Sequence, residues 1–338
     1  MAKTYTVAVV GALGVVGTEM ISTLERRSFP VGTLVPLDVA SQVGKQVTFQ
    51  RKEWEVQEAK KGAFTGVDIA IFSAGGDASK VLAPVAVEEG AIVVDNSSHW
   101  RMDPDCPLVV PEVNPQDLDW HKGIIANPNC STTQMLVALK PIHDAAKIKR
   151  VVVSTYQAVS GSGQKGILGL DEEAREMLRD GKVSAPRVYN QQIAFNAIPH
   201  IDVFEEAGYT KEEYKMVNET KKMLSPDIEV SATCVRIPVW YGHSESINIE
   251  TEKKISADEV RDMLSRAEGI KVIDNPAQEE YPTPFMSNDE DLTMVGRIRE
   301  DLTIETGINL WCVSNNVRKG AALNAVQIAE TLIKRNLV

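Results

Sequence analysis

The sequence predicts an α/β protein in two parts: a doubly wound parallel sheet first, then an α+β domain with a mainly antiparallel sheet. Three observations carry that expectation. Up to about residue 130, short apolar β runs alternate with helical patterns, and strand alternating with helix gives a parallel sheet covered on both faces. Beyond it, strand-like runs cluster at 149–156, 230–239, 246–251, 271–273, 294–299 and 303–314, with helical patterns set apart at 167–179, 211–224 and 257–267. The last segment, 320–334, is an amphipathic helix with Leu323, Val326, Ala329, Leu332 and Ile333 as its apolar stripe, and it is expected to pack back on the first part. The first domain is therefore expected to be discontinuous, 1–129 plus 319–338, with 130–318 as the second.

A chain of 338 residues, 43% of them hydrophobic, has enough apolar material for cores of this size. The net charge of −11 argues against a nucleic-acid or acidic-membrane surface, so an anionic ligand must be met by a local group of basic residues. Four cysteines, at 106, 130, 234 and 312, show neither zinc-site spacing nor the density of a disulfide scaffold. No metal is expected, and reduced thiols in a cytoplasm fit best. Met1-Ala2-Lys3-Thr4-Tyr5 runs into the first strand without a leader-like apolar stretch, and no apolar run approaches the roughly 18 residues that span a bilayer.

Taken in order, residues 6–10 are a β run, followed by Gly11-Ala12-Leu13-Gly14-Val15-Val16-Gly17 and a helix to about Arg27. Strand, glycine turn and helix in that order are the context of a Rossmann-type dinucleotide fingerprint, although the spacing is G-x-x-G-x-x-G. A tight turn without a ligand is the plain alternative. The second strand, 33–37, ends at Asp38, the place where an acidic residue commonly meets the adenosine ribose. Strands at 68–72 and 91–95 flank a helix at 77–89, and the turn Ser73-Ala74-Gly75-Gly76 lies at a strand's carboxyl end, where such sheets bind ligands.

In Asn127-Pro128-Asn129-Cys130-Ser131, Pro128 disfavours helix at Asn127 while the residues after Cys130 read as one. Cys130 is thus expected at or just before a helix N-terminus, where free N–H groups and the helix dipole favour the thiolate. Gln157 opens a flexible turn through Ser160 and Gly161 to Gly163. A thiolate beside a dinucleotide fold points to covalent acyl chemistry and calls for an acid/base. His243, expected in a glycine-containing turn, is the best placed of the five histidines. Arg236 interrupts an apolar strand, so it is paired or faces a cavity, and its planar fork suits a carboxylate. On the residues alone an inert cysteine, a structural histidine and a structural salt bridge stay open.

Together these residues resemble the aspartate-β-semialdehyde dehydrogenase family over essentially the full length. The resemblance rests on Asn127 to Cys130, Val110-Pro111-Glu112-Val113-Asn114, Arg236 to Val239, Gly242-His243, and the stretch from Asn315-Asn316 to Gln327. It implies reductive dephosphorylation of L-aspartyl-4-phosphate to L-aspartate-4-semialdehyde, in the diaminopimelate and lysine, threonine and methionine biosynthetic routes. Cys130 would be the nucleophile, His243 the acid/base catalyst, and Gln157 the residue orienting the acyl intermediate. Arg236 would grip the α-carboxylate, Glu219 the α-ammonium group, and Arg101, Asn129 and Lys222 the phosphate. Gly11, Leu13, Gly14, Val15 and Val16 would meet the dinucleotide, with Ser73, Gly75, Asn96, Ser160, Gly161 and Asn316 nearer the nicotinamide. Partners would be small molecules and a second copy of the chain, as a homodimer or, alternatively, a tetramer.

One departure from the family pattern concerns the choice between NADP and NAD. NADP-using members usually carry Ala-Ser-x-Arg-Ser-x-Gly-Lys after the second strand, whereas this chain reads Asp38-Val39-Ala40-Ser41-Gln42-Val43-Gly44-Lys45. Ser41 replaces the arginine and Asp38 adds negative charge near the 2′-phosphate position, which predicts NAD used at least as well as NADP. The rival activity is that of an N-acetyl-glutamyl-phosphate reductase, against which Glu219 and Lys222 argue. A glyceraldehyde-phosphate dehydrogenase has a different sequence around its cysteine, and a non-catalytic paralogue has no use for Cys130, Gln157, Arg236 and His243 together.

Overall fold

The computed structural model describes residues 3–338; the expectation that Met1-Ala2 belongs to no leader lies outside them. The chain divides into two compact units, one running to Asn129 and resuming at Ala321–Val338, the other Cys130–Gly320.

The first unit begins with β1 (Tyr5–Val10), α1 (Val15–Arg26) and β2 (Val31–Asp38). A small antiparallel hairpin, β3 (Gln46–Phe49) and β4 (Lys52–Glu55), and the edge strand β5 (Gln57–Glu58) follow. Then come β6 (Ile69–Phe72), α2 (Gly76–Glu88), β7 (Ile92–Asp95) and β8 (Ile124–Ala126). The main sheet has the order β5-β2-β1-β6-β7-β8, and every pairing in it is parallel. Its central strands are apolar throughout because both faces are covered: Ile69 to Phe72 are all buried. The C-terminal helix, Leu323–Lys334, packs into the core on α1 with Val326, Ala329 and Leu332 fully buried.

The second unit opens with α3 (Cys130–Ala146) and β9 (Ile148–Gln157), then α4 (Gln164–Asp180), α5 (Lys211–Met223), β10 (Glu229–Arg236) and β11 (His243–Thr251). It ends with α6 (Ala257–Arg266), β12 (Ile270–Val272), β13 (Thr293–Glu300) and β14 (Gly307–Ser314). The sheet order is β10-β9-β11-β14-β13-β12. It is mixed: β10 with β9 and β12 with β13 are parallel, the three central pairings antiparallel. Helix α3 lies on this sheet, and its residues 131–139 are all buried. Burying Met135, Leu136 and Leu139 contributes roughly 1.5–3 kcal/mol each, which makes α3 a firm platform for its first residue. Helices α5 and α6 start with capping boxes, Thr210 with Glu213 and Ser256 with Glu259, each worth about 1 kcal/mol.

Several expected boundaries move, among them the start of the helix expected at 167, which lies at Gln164, and the start of the strand expected at 246, which lies at His243. The strand expected at 230–239 stops at Arg236 because Pro238 has no N–H to continue the ladder. The strand expected from 303 begins at Gly307, since Asp301 Oδ1 takes the Thr303 N–H at 2.9 Å and closes a turn. The last helix begins at Leu323, after a wide turn over Arg318–Ala322. No helix among the described residues is long and apolar enough to cross a membrane.

Candidate active site

Cys130 is the first residue of α3 and half-buried, whereas Cys106, Cys234 and Cys312 are buried. Burial pushes the Cys234 and Cys312 thiols up and makes them poor nucleophiles. At the start of α3 the N–H groups of the first turn have no partner within the helix, and the positive dipole end favours negative charge on sulfur. The backbone passes tightly over this residue at Gly320, where a Cβ would lie 2.7 Å from that of Cys130.

His243 is not in a turn, as its glycine-rich surroundings suggested, but is the first residue of β11, paired with Ser314 of β14. Gly242 makes the preceding turn at φ +89°, and a side chain there would collide with Ser287 Oγ and the Pro284 carbonyl. The imidazole is fully buried, with Nε2 3.2 Å from Cys130 Sγ. On the other side of the ring, the Ala158 N–H donates to Nδ1 at 3.0 Å. Burial, and then the nearby Arg236 charge, push His243 down to about 3, with Glu212 pulling the other way.

Arg236 ends β10 with its side chain buried, and its Nη1 donates to the Ala158 carbonyl at 2.6 Å. Its Nε–H is buried with no partner among the described residues. A buried guanidinium with an unused donor calls for an acceptor, and a ligand carboxylate supplies one. Gly161 faces it closely: a Cβ there would lie 2.8 Å from Nη1 and 3.6 Å from His243 Cε1. Gln157, the last residue of β9, is held at both ends of its amide. Its Nε2 donates to Glu212 at 3.0 Å, and its Oε1 accepts from Thr155 Oγ1 at 2.9 Å. Glu212 in turn meets Lys215, which also pairs with Asp202.

Ser160 and Asn316 hydrogen-bond to each other, and Asn316 Oδ1 accepts the Gly242 N–H at 2.9 Å. Asn316 therefore holds the turn that delivers His243. Glu219, buried, and Lys222, half-buried, lie three residues apart on α5 and share a face.

The other assigned residues belong to the first unit. Gly11 has φ +79°, and a Cβ there would meet the Ser73 carbonyl oxygen at 2.5 Å, so Gly11 and Ser73 form one closely packed loop pair. Gly14 is the N-cap of α1 and offers no side chain, leaving first-turn N–H groups for a phosphate. Val15 and Val16 are half-buried in that turn. Gly75, at φ +80°, precedes α2 with open space where a Cβ would be. This glycine cradle fits a dinucleotide. Asp38 Oδ2 accepts the Leu13 N–H at 3.0 Å, so Leu13 spends its donor on Asp38 and the carboxylate is tied to the loop. Ser41 lies exposed in the following short turn. Arg101 is buried, with Nε on the Asn127 carbonyl and Nη2 on the Asn96 carbonyl, both at 3.0 Å. Asn127 Nδ2 donates to Asn96 Oδ1 at 2.7 Å. Asn129, also buried, directly precedes the cysteine.

Nothing in the sequence singles out Ala158, whose side chain is chemically mute and whose contacts with His243 and Arg236 are made by its peptide groups. Glu212 was detectable in principle: in Lys211-Glu212-Glu213, Glu213 serves the capping box, which leaves a second acidic residue without a surface reason.

The comparisons with known proteins bear on both units. Residues 6–121 match the model of the semialdehyde dehydrogenase NAD binding domain, and residues 139–319 that of the semialdehyde dehydrogenase dimerisation domain. An aspartate-semialdehyde dehydrogenase of Aquifex aeolicus is 56% identical over 99% of both chains. One of Bacillus subtilis is 50% identical over the whole of both. The chain belongs to the aspartate-semialdehyde dehydrogenase family. Among solved structures, aspartate semialdehyde dehydrogenase II of Vibrio cholerae, complexed with ASA, is 48% identical with a TM-score of 0.96, covering 98% of this chain and 99% of that one. The aspartate semialdehyde dehydrogenase of Candida albicans with NADP is more distant, at 26% identity and a TM-score of 0.79 over 99% of this chain and 100% of that one. Family membership implies a nicotinamide cofactor, which the NAD binding domain matched at residues 6–121 would hold.

Proposed function

We propose that this member of the family is a phosphorylating aspartate-semialdehyde dehydrogenase that interconverts L-aspartyl-4-phosphate and L-aspartate-4-semialdehyde through a thioester on Cys130. The observation that carries the reading is the 3.2 Å approach of His243 Nε2 to Cys130 Sγ at the start of α3. In the reductive direction Cys130 Sγ attacks the acyl carbon. The C–S bond forms, the C–O bond to phosphate breaks, and phosphate leaves with the electron pair toward Arg101, Asn129 and Lys222. Arg236 takes the α-carboxylate with its unused Nε–H, and Glu219 the α-ammonium group. Gln157 orients the acyl group with the N–H that Glu212 does not use, and His243 serves the oxygen that gains charge during the transfer. A bound nicotinamide dinucleotide supplies the reducing equivalent, held by the loop of Gly11, Leu13, Gly14, Val15 and Val16, with Ser73, Gly75, Asn96, Ser160, Gly161 and Asn316 assigned to its nicotinamide end.

NAD is used at least as well as NADP in this reading, because Asp38 and the Ser41 turn put negative charge and no arginine where a 2′-phosphate would bind. A kcat/KM for NADP exceeding that for NAD by about a hundredfold, roughly 2.7 kcal/mol, would refute this. The working assembly is a homodimer in a reducing cytoplasm. It buries the open face of the second unit's sheet, where Ser246 is exposed in the middle of β11 and a cavity of about 320 Å³ is lined by Tyr281, Pro284, Arg297, Arg299 and Trp311.

The test is phosphate-dependent reduction of NAD and NADP with L-aspartate-4-semialdehyde, run beside N-acetyl-glutamate semialdehyde. The aspartyl substrate should win, and Cys130→Ala should abolish turnover. More than a trace of activity in that variant would overturn the thioester route, and preference for the acetylated substrate would overturn the assignment of Glu219.

A further inference from the structure

We infer that Tyr189 is a positioning residue for the substrate α-carboxylate: carried on the strap 182–198, it lays its ring against Arg236 and supports that buried cation without taking the donor that the carboxylate needs. The inference rests on the reading of Arg236 as the carboxylate grip, and it adds the group that keeps the grip ready.

The Arg236 side chain is buried, and no carboxylate pairs with it among the described residues. A guanidinium out of water needs partners. An acidic side chain would stabilise it but would also occupy the fork that a ligand carboxylate uses. Neutral partners stand there instead. The Ala158 carbonyl takes Nη1 at 2.6 Å, and the Tyr189 ring lies over the guanidinium with its centroid 5.8 Å from Cζ, within the reach of about 6 Å of a cation–π contact. An aromatic face attracts the charge through its quadrupole and claims none of the N–H groups. The Nε–H, buried and without a partner, is left for the ligand.

The ring is held in place at several points. Its hydroxyl donates to Ser162 Oγ at 3.0 Å, in the same turn as Gly161, where a Cβ would lie 2.8 Å from Arg236 Nη1. Residues 182–197 form no helix or strand, so side chains must fasten the strap. Glu173, fully buried on α4, does so by accepting the N–H groups of Arg187, Ile193 and Ala194 at 2.9, 2.7 and 3.1 Å. Three such bonds replace the water that a buried carboxylate loses. Glu176 accepts the Ser184 N–H at 2.8 Å. Val188 passes so close to α4 that a Cβ on Gly169 would come within 2.7 Å of its Cγ2. At its far end the strap reaches the backbone of Arg236 itself, where Ile198 and Arg236 exchange two main-chain hydrogen bonds of 2.9 and 2.8 Å. Tyr189 and Arg236 are thus registered through α4 and through β10 together.

Without the ring, the guanidinium keeps one neutral partner and gains room to turn, and water can reach the Nε–H. A ligand carboxylate then has to displace that water and restore the orientation. The loss falls on binding, not on bond making at Cys130.

Two readouts on the full-length protein test this. In steady-state kinetics with L-aspartate-4-semialdehyde, Tyr189→Leu should raise KM about 3- to 30-fold, the range of a partly buried cation–π contact, with kcat within about twofold. Tyr189→Phe keeps the ring and should stay within about threefold in KM. In alkylation of Cys130 by iodoacetamide, protection by L-2-aminobutyrate, an unreactive α-amino acid of the same length, should weaken in Tyr189→Leu by the same factor as KM rises, while the unprotected rate stays the same. A loss in kcat with KM unchanged, or equal losses in the Phe and Leu variants, would overturn the inference. If Tyr189→Leu does not fold, Glu173→Gln decides: its amide N–H₂ meets an N–H of the strap, so trypsin should cut faster after Lys182 or Arg187 and KM should rise. Faster cutting with KM unchanged would overturn the inference as well. Arg236→Ala separates the two claims. An unchanged KM in that variant would refute the carboxylate grip, whereas a raised KM beside a normal Tyr189→Leu would refute the role of Tyr189 alone.

Discussion

Arg236 and His243 are fastened to opposite ends of the same residue: Arg236 Nη1 donates to the Ala158 carbonyl at 2.6 Å, and His243 Nδ1 accepts the Ala158 N–H at 3.0 Å. The group assigned to the substrate carboxylate and the group assigned to the reacting carbon are therefore registered through one residue's backbone. Arg236→Lys should break this arrangement, since a single ammonium cannot hold the carbonyl and also offer a fixed second donor. Loss of a charge-assisted hydrogen bond is worth about 1.5–3 kcal/mol, so KM for the semialdehyde should rise roughly 10- to 100-fold. Steady-state kinetics should find a smaller change in kcat, and alkylation of Cys130 by iodoacetamide should keep its rate.

Gly161→Ala tests the same corner by volume. The new Cβ would come within 2.8 Å of Arg236 Nη1 but only 3.6 Å from the His243 ring, so the guanidinium must move while the imidazole need not. The expected result is a raised KM with a nearly normal thermal midpoint. A large loss of stability with unchanged KM would mean that the loop, rather than the arginine, gives way.

Glu212 reaches the active residues through Gln157, whose Nε2 it accepts at 3.0 Å in a buried setting. Glu212→Gln keeps the shape but weakens that charge-assisted bond and the pairing with Lys215. Freed to rotate, Gln157 should orient the acyl group less often. We expect kcat to fall by about tenfold, or roughly 1.4 kcal/mol, with KM changed little. Because the Glu212 charge raises His243, its removal should also push that imidazole further down. Steady-state kinetics read the effects on kcat and KM.

Much of this arrangement is legible in the sequence, for identifiable reasons. Apolar runs such as Ile69 to Phe72, set between helical patterns, read as buried parallel strands, and Pro128 disfavours helix at Asn127 while the residues after Cys130 read as one, which places the thiol at a helix start. Arg236 was detectable because a charge inside an apolar strand needs a reason. What stayed hidden depends on long-range pairing. The hairpin of β3 and β4 is only four residues a side, and although Gln46 to Phe49 alternates, Lys52, Glu53 and Glu55 of its partner are exposed and leave Trp54 as the one apolar signal. The start of β11 at His243 is set by its partners on β9 and β14, not by local preference. Ala158 acts through atoms that every residue has.

The open face of the second sheet carries a prediction about assembly. Ser246 lies in the middle of central strand β11, opposite Trp311, yet it is exposed. A central strand left bare on one face is covered by something else, and in the proposed dimer that cover is a second copy. Ser246→Arg would place a charge in the middle of the interface. Sedimentation should show a shift to monomer, whereas Asp171→Lys on exposed α4 should leave the assembly unchanged.

Glu245 supplies a test of pH dependence one row behind the reacting pair. It lies two residues from His243 in β11, on the same face, and it is fully buried with neither oxygen hydrogen-bonded among the described residues. Gln134, one turn below Cys130 on α3, pulls weakly on the carboxyl without closing a proper bond. Burial therefore holds Glu245 well above the usual carboxylate range. A folded-state value above the unfolded one means that the native protein binds the proton more tightly. Stability from this group is full below the unfolded value and is lost as pH rises toward the folded one. Glu245→Gln cannot ionise, so its stability relative to the native protein should improve as pH rises. In urea unfolding the difference between the two proteins at about pH 8 should exceed that at about pH 4.5 by on the order of 1–3 kcal/mol in favour of the variant. A difference independent of pH would mean that Glu245 is already ionised and paired in the native protein.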